Sequence, residues 1–331
     1  MTPPDLYIVG FLTIPQIDTL ESMSYQDRVM ASAAPRTAAV VSSIKVMDSV
    51  DSTNSLLRRA LTLGDRRDAR SLIAGLFDQS GEGAGSTPSE DSLPISVATS
   101  DVQTQCHGRL GRPWSNKPGE SFMVSWVLPA PCSIVQGEYA GWLTMIAGLS
   151  VQAGIREVLS SCGARALREE SELALKWPND IFVNGRKLGG ILSEMVPIDE
   201  QWSAVLFGVG INMFMGQADL PIDLATSLQL EYAPLPAYEE LRDRLAAAIS
   251  VELRNRLAAF YDDPEGYALQ SHNMLSTESW TIGRQVKANL ASGESVIGRA
   301  LRIDDDASLV IKCHDGSERT VTTGDVGVLP G

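Results

Sequence analysis

Asn179, Asp180 and Lys187 lie close together in a stretch that also carries the paired glycines Gly189 and Gly190. A lysine ammonium is a compact cation, and a carboxylate beside it, being acceptor-only, can orient it. The same stretch predicts how they are positioned. Asn184-Gly185 separates two short apolar runs, residues 181–183 and 186–192. That dipeptide suits a type I′ turn, which needs φ > 0 at both central residues, so the runs should pair as antiparallel strands. Pro178 cannot donate to a ladder and marks the hairpin's entrance. Alternation puts Lys187 and Gly189 on one face and Leu188, Gly190 and Leu192 on the other. Glycines weaken a strand, and the usual reason for them is close approach of a ligand or another backbone. A polar site on a rigid sheet follows, although spacing alone fits an ordinary surface hairpin equally well.

A second group runs from Gln103 to Trp114. Arg109 and Arg112 are each preceded by glycine, Gly108 and Gly111. Glycine lets backbone N–H groups converge on an anion, and arginine offers forked donors to carboxylate or phosphate. Elsewhere, Ser52 or Thr53 can cap a helix continuing through Leu56, Leu57, Ala60 and Leu61. Residues 205–211 read as a strand whose Gly208 and Gly210 again allow close approach, with Asn212 at its end.

Composition excludes several classes. The chain has 331 residues, 44% hydrophobic and 21% charged, with net charge −14, as expected of a soluble globular protein. The negative balance argues against nonspecific nucleic-acid binding and against an anionic membrane surface. Four scattered cysteines and only three histidines make a metal site unexpected and point to reduced thiols in the cytoplasm. No secretory leader is read at the N-terminus. The uncharged run 139–155 is better explained as a buried helix than as a membrane span.

Residues 1–41 contain Pro3, Pro4, Pro15 and Pro35 and read as an irregular extension, with residues 7–14 as an alternative added strand. Residues 78–92 form a Gly/Ser/Glu/Pro tract that cannot build a core, hence a flexible insertion. Strands are expected at 44–50, 93–100 and 121–128, the last ended by Pro129. Amphipathic helices are expected over 139–159 and 239–260, with a second helix following the latter to about 274. From residue 279 the period changes to short strands, including a hairpin at Asp315-Gly316.

The stretch Lys176-Trp177-Pro178-Asn179-Asp180, followed by Gly185-Arg186-Lys187-Leu188-Gly189-Gly190-Ile191-Leu192, resembles the signature hairpin of biotin protein ligases. Asp51-Ser52-Thr53-Asn54, the loop from Gln103 to Trp114, Gly208-Val209-Gly210-Ile211-Asn212 and Ala225-Thr226-Ser227-Leu228 resemble four further elements of that family, in its order. The resemblance covers roughly residue 44 onward. It implies an α+β fold: a mixed β-sheet with helices, like the catalytic domain of class II aminoacyl-tRNA synthetases, over 42–276, and an SH3-like small β-barrel over 277–331. It also implies ATP-dependent biotin ligation. Biotin is activated as biotinyl-5′-AMP with release of pyrophosphate, Mg²⁺ accompanying ATP, and then passes to a lysine of a biotin carboxyl carrier protein. By this resemblance Lys187, Arg109, Arg112 and Asp180 are catalytic. Ser52, Thr53, Asn54, Gln103, His107, Gly108, Arg109, Lys187, Gly189 and Gly190 bind biotin, and Arg112, Trp114, Asn179, Lys187 and Asn212 bind ATP. The loop departs from the family pattern at Gln105, Cys106 and His107, where alanine, glycine and arginine are usual. The short extension, without a recognisable helix-turn-helix, is that of a ligase without repressor function. A lipoate or octanoate ligase of the same fold and a non-catalytic biotin sensor are the competing readings.

Overall fold

The computed structural model describes residues 33–63, 68–77, 92–169, 171–290 and 293–329. Most of the expected N-terminal extension, including its alternative strand at 7–14, and nearly all of the 78–92 insertion lie outside the described residues. A first helical turn, α1 (Pro35–Ala38), precedes β1 (Ser43–Val50), α2 (Thr53–Leu63), α3 (Ala69–Ala74), β2 (Ser96–Gln103) and β3 (Ser121–Pro131). Then come α4 (Cys132–Val135), α5 (Trp142–Ser161), β4 (Arg165–Ala166), β5 (Leu173–Lys176), β6 (Asp180–Val183), β7 (Arg186–Pro197) and β8 (Trp202–Asn212). The remainder is α6 (Leu228–Glu231), β9 (Tyr232–Ala233), α7 (Tyr238–Asp262), α8 (Pro264–Glu278) and the strands β10 (Gln285–Asn289), β11 (Ser295–Ile303), β12 (Leu309–Cys313), β13 (Glu318–Val321) and β14 (Asp325–Val328).

Seven strands form the main sheet in the order β1-β2-β3-β8-β7-β6-β5. Only β1 and β2 run parallel, so the sheet is mixed. Its two faces are set by alternation along the strands. Phe122, Val124, Trp126 and Leu128 of β3 and Val205, Phe207, Val209 and Ile211 of β8 join α5 and α7 in one large core. The opposite face carries Val127, Ala204 and Leu206, packed with Leu57 and Leu61 of α2 and Ile73 of α3. Farther along that second face the same alternation brings up Ser125, Gly208, Gly210 and Asn212. Apolar packing therefore stops where small and polar residues begin, and this opens the space for a site.

Two local readings need correction. β3 does not end at Pro129 but pairs with β8 through Pro131, opposite Trp202. β2 pairs with β3 only as far as Val127, so the prolines lie where that flank needs no N–H donor. In the hairpin, Asn184 and Gly185 do have φ of 51° and 76°, as the turn requires. Alternation nevertheless fails on its second strand. Ile181 pairs with Gly189 but Phe182 with Lys187, leaving Leu188 as an extra residue, a β-bulge. The bulge re-aims Lys187 to the side of Gly190: a Cβ on Gly190 would stand 3.6 Å from the Lys187 Cε. A Cβ on Gly189 would instead meet the Gly210 carbonyl.

The C-terminal strands form a separate antiparallel sheet, β13-β12-β11-β10-β14. Its attachment to the main sheet is specific. Trp177 Nε1 donates to the Ala307 carbonyl at 2.9 Å, and Trp142 Nε1 to the Asp305 carbonyl at 2.6 Å. Two buried indoles thus find their only polar need in one turn, which fixes the small sheet over the entrance of the hairpin. Among the described residues no helix is long and apolar enough to cross a membrane.

Candidate active site

A cavity of about 350 Å³ opens on the second face of the sheet. Its floor is Ser125, Gly190, Leu192, Gly208 and Gly210; Ser52, Thr53, Asn54 and Gln103 close one end, and the loop from Cys106 to Trp114 covers the other.

The closed end is a hydrogen-bonded relay built on the start of α2. Ser52 supplies the cap, its Oγ 3.5 Å from the Ser55 N–H, which leaves Thr53 and Asn54 free to turn into the cavity. Gln103 Oε1 accepts from the Thr53 N–H at 3.1 Å. Ser125 Oγ donates to Asn54 Oδ1 at 2.6 Å and lies 2.6 Å from Thr53 Oγ1, so the threonine hydroxyl is the donor in that pair. Asn54 Nδ2 donates to Glu194 Oε2 at 2.9 Å. With these bonds made, Thr53 Oγ1 still has acceptor capacity. Gly208 makes room for Asn54: a Cβ there would lie 2.5 Å from Asn54 Oδ1. Asp51, just before the helix, is bound by Arg59 of α2 through two contacts of 2.6 and 2.8 Å, which lower its carboxyl to about 2.

The covering loop is a folded hairpin. His107 bridges Pro113, the Gly108 N–H donates to the Arg112 carbonyl at 2.8 Å, and the tip turns through Leu110 and Gly111 at φ of 57° and 69°. Both arginines reach beyond the loop. Arg109 donates to Asn179 Oδ1 at 3.1 Å and Thr323 Oγ1 at 3.3 Å, and burial lowers its basicity. Arg112 grips Asp325 at 3.0 and 2.6 Å, and this pairing holds the aspartate below the usual carboxylate range. His107 is exposed, its Nδ1 3.1 Å from the Gln105 carbonyl. Burial pushes the Cys106 thiol up to about 12, so it is neutral near pH 7 and not a ready nucleophile.

Trp114 explains the bare strands at this end. Cβ atoms on Gly210 and Gly190 would stand 2.6 Å and 3.4 Å from its ring. The glycines therefore accommodate an indole, not a second backbone. The Trp114 Nε1 is buried and, among the described residues, has no hydrogen-bond partner. Beside the ring, Lys187 Nζ lies 5.4 Å from its centroid and 2.6 Å from Asp180 Oδ1. Asp180 Oδ2 faces Lys176 Nζ at 3.3 Å. One carboxylate thus orients two ammonium groups, and Lys187 remains the one that lines the cavity.

The structure brings Ser52, Thr53, Asn54, Gln103, His107, Gly108, Arg109, Arg112, Trp114, Asn179, Asp180, Lys187, Gly190 and Asn212 to one cavity; Gly189, placed on the same face as Lys187 by alternation, is not among its lining residues. The Asn212 Nδ2 donates one of its two N–H groups to the Thr226 carbonyl at 2.9 Å, and its Oδ1 remains available as an acceptor. Ser125, Asp325 and Thr323 were missed. Ser125 lies within an unbroken apolar run, and the other two come from the C-terminal sheet, more than two hundred positions away from Arg112 and Arg109.

A closed polar end, an oriented lysine and a Gly/Arg loop thus share one face of a mixed sheet. Residues 88–212 match the biotin/lipoate A/B protein ligase family, and residues 281–328 the biotin protein ligase C-terminal domain. A biotin–[acetyl-CoA-carboxylase] ligase of Mycobacterium tuberculosis is 31% identical over 232 residues, 70% of this chain and 77% of that protein. The bifunctional ligase/repressor BirA of Bacillus subtilis is 28% identical over 230 residues, and the match spans 67% of this chain and 63% of that protein. The fold matches the biotin protein ligase of Aquifex aeolicus in complex with biotin and ATP, with a TM-score of 0.56 and 18% identity over 87% of this chain and 99% of that one. The chain belongs to the biotin protein ligase family.

Proposed function

We propose that this chain joins biotin to ATP as biotinyl-5′-AMP and then passes the biotinyl group to a lysine of a carboxyl carrier protein. The observation that carries this is the position of Lys187. Its ammonium, held at 2.6 Å by Asp180, stands between the closed polar end and the Trp114 end of the same cavity. The Thr53, Asn54 and Gln103 end suits a ring that both donates and accepts hydrogen bonds, as the biotin ureido group does. The unpartnered Trp114 N–H and the unspent Asn212 Oδ1 offer polar contacts to a nucleotide.

In the first step a biotin carboxylate oxygen attacks the α-phosphorus, the bond to the β-phosphate oxygen breaks, and pyrophosphate leaves with its electron pair. Two anions must approach, so the protein's part is positioning and positive charge. Lys187 sits where it can touch both groups as charge builds, and Arg109 adds a second cation from the loop. Arg112 reaches the phosphates by exchanging Asp325 for them. In the second step the acceptor amine, having lost a proton to solvent, attacks the acyl carbon and AMP departs. No enzyme nucleophile is needed, which agrees with a neutral Cys106. Mg²⁺ carried in with ATP would supply charge neutralisation on the leaving phosphates. Among the described residues the cavity's carboxylates are Asp180 and Asp325, each engaged by cations, so the ion would be held chiefly through ATP and not by a free protein carboxylate. Four free cysteines fit the reducing cytoplasm. A net charge of −14 supports a ligase that does not act as a repressor.

The test measures pyrophosphate release with biotin and ATP, followed by mass spectrometry of an added biotin carboxyl carrier domain. Biotin-dependent release and a biotinylated lysine are expected. Release driven by lipoate or octanoate but not by biotin would favour the related acyl ligases. Tight biotin binding without any release would mark a sensor.

A further inference from the structure

Outside the groups assigned to chemistry, the least exposed acid of the site region is Glu231, at the C-terminal end of α6 and 0% exposed. A buried carboxylate is costly unless its lone pairs are answered, and here three side-chain donors, from β7, the hairpin turn and the segment before α6, answer it. Arg186, at the start of β7, donates to Oε1, as does Thr226 Oγ1 at 2.6 Å. Asn184 Nδ2, in the hairpin turn, donates to Oε2 at 3.0 Å. The Leu167 N–H donates to the Glu231 backbone carbonyl at 2.8 Å.

What these donors hold is the nucleotide half of the cavity. Thr226 belongs to a short extended segment that forms a parallel bridge with β7 at Lys187 and Ala225. The Lys187 N–H donates to the Leu224 carbonyl at 2.7 Å, and the Thr226 N–H to the Lys187 carbonyl at 2.9 Å. The Thr226 carbonyl in turn accepts from Asn212 Nδ2. Pro221, Ile222 and Ala225 of the same segment line the cavity. The backbone of Lys187, the side chain of Asn212 and this wall therefore meet at Thr226, and Glu231 is the fixed point to which Thr226 and the hairpin are both tied.

We propose that Glu231 is a positioning residue for adenylation: through Thr226, Asn184 and Arg186 it sets where Lys187, Asn212 and the 221–226 wall stand toward ATP. It touches no substrate. The proposal rests on the ligase reading, in which that half of the cavity takes the nucleotide. The biotin end is built from other elements, α2, β2 and Ser125, and should be insensitive to it.

Glu231→Gln is the sharp perturbation, because it keeps size and one acceptor. The new amide N–H₂ would face the Asn184 Nδ2, and Asn184 cannot flip freely because its Oδ1 already accepts from the Glu172 N–H at 2.9 Å. Expected for Glu231→Gln is a rise in ATP KM of tenfold or more and a lower kcat, with biotin affinity measured without ATP unchanged within about twofold, since distant sites are usually independent. Thr226→Val, which removes the hydroxyl that donates to Glu231 but keeps its shape, should move the same constants, and the double variant should be less than additive. Thr226→Ser should restore wild-type values. Hydrogen exchange supplies a readout independent of activity. In Glu231→Gln the Lys187 and Thr226 amides should lose protection while those of the β3–β8 ladder keep theirs. Equal losses in biotin and ATP binding would reduce Glu231 to general stability and overturn the proposal. So would unchanged kinetics together with unchanged protection. A wild-type protein without biotin-dependent pyrophosphate release would refute the ligase reading, while the exchange pattern would still decide whether Glu231 holds this wall.

Discussion

Gly210 and Gly208 lie two positions apart on one face of β8, and each accommodates a different half of the cavity, so an added methyl should separate the halves. In Gly210→Ala the new carbon would meet Trp114 at 2.6, 2.7 and 2.9 Å, all on the indole. Comfortable contact between carbons is about 3.5–4.0 Å, so the ring must retreat by roughly 1 Å. Gly190 closes the same ring from beneath, with ideal-Cβ contact at 3.4 Å. The retreat is therefore upward, carrying the loop and its Cys106 carbonyl contact with it. Over-packing of this kind costs about 1–3 kcal/mol. If that cost falls on the nucleotide-competent loop position, ATP KM rises by about five- to 150-fold at ~1.4 kcal/mol per tenfold. In Gly208→Ala the methyl would stand 2.5 Å from Asn54 Oδ1, 3.0 Å from its Cγ and 3.1 Å from its Nδ2. Asn54 is locked by Ser125 and Glu194, so the biotin end should suffer instead. Calorimetric biotin affinity without ATP should be kept in Gly210→Ala and lost by at least tenfold in Gly208→Ala. The ATP dependence of pyrophosphate release should show the reverse bias, with thermal midpoints controlling for folding. The reasoning fails if Gly210→Ala leaves ATP KM unchanged, or if the two variants damage both constants in the same ratio.

Two further outcomes follow from the ion pairs. Lys187→Ala should fold normally, because Asp180 keeps Lys176 at 3.3 Å and the lost, partly exposed pair is worth at most about 1 kcal/mol. Adenylation, read as pyrophosphate exchange, should fall by about 10²–10³, the range for one preorganised donor, and near-normal exchange would remove Lys187 from the mechanism. Asp325 has its folded-state carboxyl lowered by Arg112. Its small contribution is therefore present above the ordinary unfolded value of about 3.9 and is lost as pH falls through the lower folded value. Carbon-detected NMR titration should place Asp325 below that ordinary value and move it up toward it in Arg112→Ala; an unmoved midpoint would show that the pair does not persist in solution.

The features legible in the sequence share a cause: each is set by dihedral preference or by side-chain period within a few residues. Asn184-Gly185 specifies its own turn, and the cap at Ser52 needs only the N–H three positions on. The strands β3 and β8 follow from their near-continuous apolar runs. What escaped is set by partners. Whether Pro129 ends a strand depends on how far β2 runs beside it, and that is a property of β2. The Lys187 face depends on a bulge at Leu188, which exists because β6 and β7 are pinned on both sides of it, by the turn at one end and by the Asn179–Ile191 exchange at the other. Asp325 and Thr323 reach the loop arginines only because Trp177 and Trp142 seat the small sheet over the hairpin, and no local pattern joins residues so far apart. The glycines make the same point from the other direction. Their spacing announces that something approaches closely, but an indole, an amide and a ligand all satisfy that announcement. Only the placement of Trp114 and Asn54 shows that Gly190, Gly208 and Gly210 were kept bare for the protein's own side chains, which then present their remaining donors and acceptors to the cavity, while Gly189 makes room for the Gly210 carbonyl.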